Sequence, residues 1–182
     1  MAKAYVFLAN GVEEIEALTA VDILRRGDVE TVTVSVTGKK EILGSHNIPI
    51  GADMLFDEDR LMDADMLVLP GGGKGTNALM AHEGLRNLLF AYRDAERYIA
   101  AICAAPSVLG MNGLLKGRKA TCYPGFEDKL LGATVCSDAV VQDGNIITGK
   151  GMGVSVPFAI KLLSVFSPAE AERVGKAIQY QA

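Results

Sequence analysis

Residues 4–9, AYVFLA, are apolar at every position, and the following GVEEIEALTAVDILRR sets its apolar residues at the three- and four-residue spacing of a helix. A run without a polar face suits a strand covered on both sides, so the chain opens as a buried strand followed by a covering helix. The pairing recurs. TVTVSVTG, DMLVLPGGGKG and YIAAIC read as further strands. NALMAHEGLRNLLFAYRDA reads as one interrupted helix or two consecutive ones, and AAPSVLGMNGLL, VSVPFAIKLLSVF and PAEAERVGKAIQYQ as helices, the last with Pro168 in its first turn. Two stretches break the alternation. KKEILGSHNIPIGAD reads as a short hairpin or irregular excursion, and residues 119–151 alternate short strands with turns, including the hairpin signal QDGN. The pattern predicts a doubly wound α/β fold, a mostly parallel sheet with helices on both faces. Without a Pro/Gly/Ser-rich linker, a low-complexity tract or an internal repeat, residues 1–182 are expected to form a single domain.

Composition narrows the function classes. At 182 residues and 49% hydrophobic content the chain can cover a core without disulfide staples. Its net charge of −4 and lack of a dense basic cluster argue against a dedicated nucleic-acid surface. No apolar run reaches the roughly 18 residues of a membrane helix, and MAKAYVFLAN lacks the features of a leader, so no membrane partner and a cytoplasmic location are expected. Cys103, Cys122 and Cys136 form no CxxC pair and are too widely spaced for a disulfide framework or a zinc site, which predicts reduced thiols and no metal.

In open α/β sheets, function gathers beyond the carboxyl ends of the strands. LANGVEEIE, LPGGGKG and AAICAAP all lie at such ends. GGGKG has neither phosphate-loop spacing nor GxGxxG spacing, so it reads as a tight turn whose N–H groups around Gly72 and Gly73 can act as anion donors. Cys103 is either a buried core thiol or a nucleophile at a strand end, with Ala104 and Ala105 opening a helix whose dipole would lower the thiol pKa. Of Glu13, Glu14 and Glu16, two read as a solvated first turn that complements the helix dipole, and one is free to turn inward. His82 reads as a polar link between helices, and His46 as a dimer contact or a site residue. No Cys–His pair is legible.

Taken together, LANGVEEIEALTAVDILRR, LVLPGGGKG, AAICAAP and GKGMGVSVPFAIKLL resemble the ThiJ/PfpI superfamily, most closely its DJ-one branch, over nearly the whole chain. The resemblance implies a flavodoxin-like sandwich of the class I glutamine amidotransferase kind, usually homodimeric. It implies a reactive cysteine on a strained elbow, here Cys103, a carboxylate beside the thiol, here Glu16, and oxyanion donors from the backbone of Gly72 and Ala104. The activities it implies are cofactor-free conversion of methylglyoxal or glyoxal (glyoxalase III type) and deglycation of early adducts on proteins or nucleotides. The alternative is redox sensing or chaperone action through an oxidisable cysteine.

Two positions depart from the family pattern. Tyr123, in TCYPGF, stands where many relatives have histidine, and a phenol, with an ordinary pKa near 10, is no base at pH 7. His46 stands where close relatives tend to have an arginine near the dimer interface, close to Arg26 in the family arrangement. The apolar stripe Ile15, Leu18, Val21, Ile23 and Leu24 is wider than one buried face needs, which adds to the expectation of a homodimer. Glu16, facing a thiol across an apolar crevice, is expected to have a raised pKa, and Glu13 and Glu14 to matter little.

Overall fold

In the computed structural model, which describes residues 1–181, β1 (Lys3–Leu8) leads through α1 (Glu14–Arg26) to β2 (Glu30–Ser35). The excursion that follows is a hairpin of β3 (Glu41–Leu43) and β4 (Pro49–Gly51), and then a two-residue strand, β5 (Met54–Leu55). The chain continues through β6 (Met66–Leu69), α2 (Gly73–Ala81), α3 (Glu83–Asp94), β7 (Tyr98–Ile102) and α4 (Pro106–Met111). β8 (Lys119–Ala120) and β9 (Thr134–Val135) pair apart from the main sheet, and β10 (Val140–Asp143), β11 (Ile146–Gly149), α5 (Ser155–Phe166) and α6 (Pro168–Ala177) complete the order.

The main sheet runs β10-β11-β7-β6-β1-β2-β5 and is parallel except for β10, which pairs antiparallel with β11. Alternate residues of the apolar strands feed two cores. On one face Val6 and Leu8 pack with Leu24 of α1 and Phe158 and Leu162 of α5, all at most 1% exposed. On the other, Tyr5 and Phe7 pack with Leu88 and Tyr92 of α3 and Leu109 of α4. Burial on both faces is why these strands carry no polar alternation. From β1 the chain passes to β2 on one side and later to β6 on the other, so the strand order reverses at β1 and opens a crevice beyond its carboxyl end.

Local punctuation follows the sequence. Two helices, not one, follow β6, and His82 joins them: it ends α2, and its Nδ1 accepts the Leu85 N–H at 3.0 Å to cap α3. Asp143–Asn145 turns the β10–β11 hairpin with Gly144 at φ 60°. Pro168 sits in the first turn of α6, capped by the Ser167 hydroxyl. Boundaries differ in α4, which begins at Pro106 after a turn at Ala104 and Ala105 and ends at Met111 rather than Leu115, and in α6, which ends at Ala177 rather than Gln181. Among the described residues, no helix is long and apolar enough to cross a membrane.

Candidate active site

Three loops beyond the carboxyl ends of β1, β6 and β7 meet in the crevice. Cys103 follows β7 at φ +65°, a left-handed backbone that costs a non-glycine residue about 1–3 kcal/mol and persists only when its surroundings enforce it. The neighbouring backbone does so. Cys103 N–H donates to Gly149 O at 2.9 Å, and Tyr123 N–H donates to Cys103 O at 2.7 Å, clamping the residue between β11 and the loop after β8. The clamp turns the half-buried thiol toward the N–H groups of Gly72 and Ala104, both of which stabilise its anion.

Glu16, in the first turn of α1, is 1% exposed. Its Oε2 accepts the Gly71 N–H at 2.8 Å, whereas Oε1 is buried with no hydrogen-bond partner. Gly71 holds the two groups together by having no side chain: the point where its Cβ would stand is 2.6 Å from both Cys103 Cβ and Glu16 Oε2.

Burial pushes the Glu16 carboxyl up to about 7; the Cys103 thiol and the Gly71 N–H oppose the rise, and the Glu13 charge adds to it. Cys103 corrects the sequence expectation of a lowered pKa. Burial first, and then the charge and contact of Glu16, push its thiol up to about 12, against the pull of the Gly72 and Ala104 N–H groups. No helix dipole offsets this at residue 103, since α4 begins three residues later. The two groups titrate as a pair. One proton leaves near pH 7 and the second is held to about 12, so at neutral pH and above the pair carries one proton. These values leave that proton mainly on sulfur, and the nucleophilic state is the minor form with the proton on Glu16 and the negative charge on sulfur, stabilised by two backbone donors.

The structure thus brings together Cys103, Glu16, Gly72 and Ala104, and it adds Gly71, whose only sequence signal was a run of three glycines where a turn needs fewer. Tyr123 stands beside the elbow, half exposed, its ring packed on Gly151. Glu14 is a correction: it is 3% exposed rather than solvated, because its carboxylate holds Ser45 and His46 of the β3–β4 turn. Glu13 caps α1 by accepting the Glu16 N–H at 2.7 Å. Arg26 pairs with Asp22 at the far end of α1. Of the α1 stripe, Val21, Ile23 and Leu24 enter the core, and Ile15 and Leu18 remain 51% and 43% exposed. Glu13, Glu14 and His46 bring three ligand-type atoms within 4.8 Å; one Glu13 oxygen caps α1 and both Glu14 oxygens accept from Ser45 and His46, so the group ties α1 to the hairpin turn.

The model of the DJ-1/PfpI family matches residues 2–165. The chain belongs to the DJ-1/PfpI family. Protein DJ-1 homolog A of Arabidopsis thaliana is 38% identical over 172 residues, 93% of this chain and 44% of that one, so the chain spans less than half the length of that plant relative. Protein dj-1beta of Drosophila melanogaster is 34% identical over 178 residues, covering 96% of this chain and 95% of its own. Among solved structures, oxidized Toxoplasma gondii DJ-1 superposes with a TM-score of 0.96 over all of both chains at 31% identity. Family membership and the flavodoxin-like sandwich are thereby shown.

Proposed function

We propose that the protein is a cysteine-dependent, cofactor-free glyoxalase that converts methylglyoxal or glyoxal to a hydroxy acid, with the same thiol serving deglycation of early glyoxal adducts. The carrying observation is the arrangement around Cys103: a thiol on a positive-φ elbow, two backbone donors at its sulfur, and a buried carboxyl with a pKa near 7 and one free oxygen.

The reaction starts from the state with Glu16 protonated and Cys103 ionised. Sulfur adds to the aldehyde carbon, and the developing alkoxide lies toward the Gly72 and Ala104 N–H groups before taking the proton from Glu16. The Glu16 carboxylate then removes the hydrogen on the former aldehyde carbon, giving an enediolate, and returns the proton to the adjacent carbon. The product of this internal redox step is a thioester of the hydroxy acid. Water cleaves it to lactate or glycolate and regenerates the thiol. A carboxyl with a pKa near 7 suits both directions of this shuttle.

The test is methylglyoxal turnover by pure protein. Cys103→Ala abolishes it, and Glu16→Gln, which keeps shape but cannot exchange the proton, lowers kcat by about 100-fold or more. Normal turnover by Cys103→Ala, or by Glu16→Gln, overturns the reading.

A second reading is supported by the same pair and by the oxidized state of the Toxoplasma relative: Cys103 as a redox-sensing thiol whose sulfinate is held by protonated Glu16. A Pseudomonas putida isonitrile hydratase, 37% identical over 100 residues, adds isonitriles to the substrates worth assaying in parallel.

A further inference from the structure

The β3–β4 hairpin reaches the site through a chain of short backbone contacts. Gly11 N–H donates to Leu43 O at 2.7 Å, Ser45 N–H to Val12 O at 2.8 Å, and Leu43 N–H to the Asn10 side-chain oxygen at 2.9 Å. The loop so held, residues 10–13, carries the glycine loop of the active site. Glu13 N–H donates to Gly71 O at 3.0 Å, and Gly72 lies so close to this loop that a Cβ there would overlap Gly11 O and come within 2.6 Å of Glu13 N. Whatever holds the hairpin turn therefore bears on the direction of the Gly72 N–H.

Glu14 holds that turn. Its Oε1 accepts His46 N–H at 2.7 Å; its Oε2 accepts the Ser45 hydroxyl and pairs with His46 Nδ1, each at 2.9 Å. Gly44 packs against the carboxyl so closely that a side chain there would overlap it. In one chain the imidazole is 72% exposed.

Resting on the reading of Cys103 as the working nucleophile, we infer that Glu14 and His46 form a pH-dependent latch that positions the Gly72 donor through the hairpin turn. With His46 protonated, an ion pair closes over the buried carboxylate. When His46 is neutral the ion pair is lost while the His46 N–H and Ser45 hydroxyl bonds to Glu14 remain, so the hairpin loosens its hold on residues 10–13 without letting go of it.

Glu13 and Glu14 of α1 face the imidazole, and Ser45 flanks it on its own turn. Across a cavity of about 540 Å³, which Ser45 and Asn47 line, stands Lys74 of α2. The Glu14 hydrogen bond and charge, followed by the Glu13 charge, raise the His46 pKa above its ordinary value, so the pair persists into the neutral range and is lost as pH rises through that raised value.

The test is the rate of iodoacetamide alkylation of Cys103, mapped by mass, in wild type and His46→Asn from pH 5 to 9, with the imidazole titration followed by NMR. Taking the ratio of the two rates removes the titration of the Cys103–Glu16 pair itself. Wild type is expected to react about 3- to 10-fold faster at the acid end, the effect of a well-aimed donor, with the ratio falling to one as His46 loses its proton. A ratio of one throughout, or one that stays above one without changing with pH, overturns the latch.

In Glu14→Gln the His46 pKa is expected to fall toward its ordinary value, and an unchanged titration would overturn the pairing. Should that variant not fold, His46→Asn, which alters an exposed side chain, carries the test. Alkylation needs no aldehyde. A sloping ratio without methylglyoxal turnover removes the proposed reaction and leaves the latch, whereas turnover with a flat ratio removes the latch alone.

Discussion

Replacing Gly71 by alanine isolates the contact on which the site depends. The new Cβ would stand 2.6 Å from Cys103 Cβ, 2.6 Å from Glu16 Oε2 and 3.0 Å from Ile102 O. Carbon atoms pack at about 3.5–4.0 Å, so something must move by about 1 Å, and the closest obstacles are the two reacting residues and a strand carbonyl, none of them the end of a flexible surface chain. Overpacking of this kind costs about 1–3 kcal/mol. If Glu16 yields, it also loses its Gly71 N–H bond, a hydrogen bond to a charged group worth about 1.5–3 kcal/mol. The sum is roughly 2.5–6 kcal/mol, or about 5–20 °C in Tm for a chain of this size.

The effect on chemistry is larger, since a displacement of about 1 Å between reacting groups costs on the order of 100-fold in rate. Gly73→Ala is the control. Two residues on, at the first position of α2, its Cβ would meet nothing within 4 Å, and its backbone is not left-handed. The assays are thermal unfolding and the rate of Cys103 alkylation. Gly73→Ala should leave both near wild type, and Gly71→Ala should depress both. Equal behaviour of the two variants would refute the claim that absence of a side chain at residue 71 is what allows Cys103 and Glu16 to face each other.

Brief, substoichiometric iodoacetamide is expected to label Cys103 ahead of Cys122 and Cys136, with a rate that rises through about pH 7 and then levels off, as one proton leaves the Cys103–Glu16 pair. Cys122 is 4% exposed where Cys103 is half-buried at the crevice, so faster labelling there, or at Cys136, contradicts the site assignment. For Glu14, burial alone would raise the pKa, but the His46 and Ser45 donors outweigh it and hold the carboxyl at about 2. Its stabilising effect is therefore complete above its ordinary pKa of 4.5 and lost as pH falls toward 2. Wild type should exceed Glu14→Gln by about 2 kcal/mol, several degrees in Tm, at pH 7, with the gap closing between pH 5 and 2; a constant gap would show that the carboxylate charge is not the cause. Ile15 and Leu18, exposed on α1, are expected to be covered in a homodimer, so a monomeric mass by light scattering at micromolar concentration counts against that expectation.

Much of this molecule follows from short-range pattern. The apolar runs of β1, β6 and β7 predict strands buried on both faces, and their alternation with helices of period 3.6 leads to the doubly wound order that the sheet shows. QDGN marks its hairpin, and Cys103 lies at a strand end because six residues of local sequence put it there. These features depend on backbone geometry and on which side chains tolerate it, both of which act over a few residues.

The chemistry of the site depends on contacts between residues far apart in the chain. Glu16 meets Gly71 across 55 residues, and Glu14 meets His46 across 32. Glu13, Glu14 and Glu16 are alike as a sequence of carboxylates, yet one caps its helix, one is buried and kept ionised by three donors, and one is buried with an oxygen unpaired and a pKa near 7. Likewise, the position of Cys103 suggested a thiol eased by a helix dipole, whereas desolvation and a facing carboxyl push it the other way. Desolvation and Coulomb energy depend on what packs around a group and at what distance, and only the assembled fold decides either.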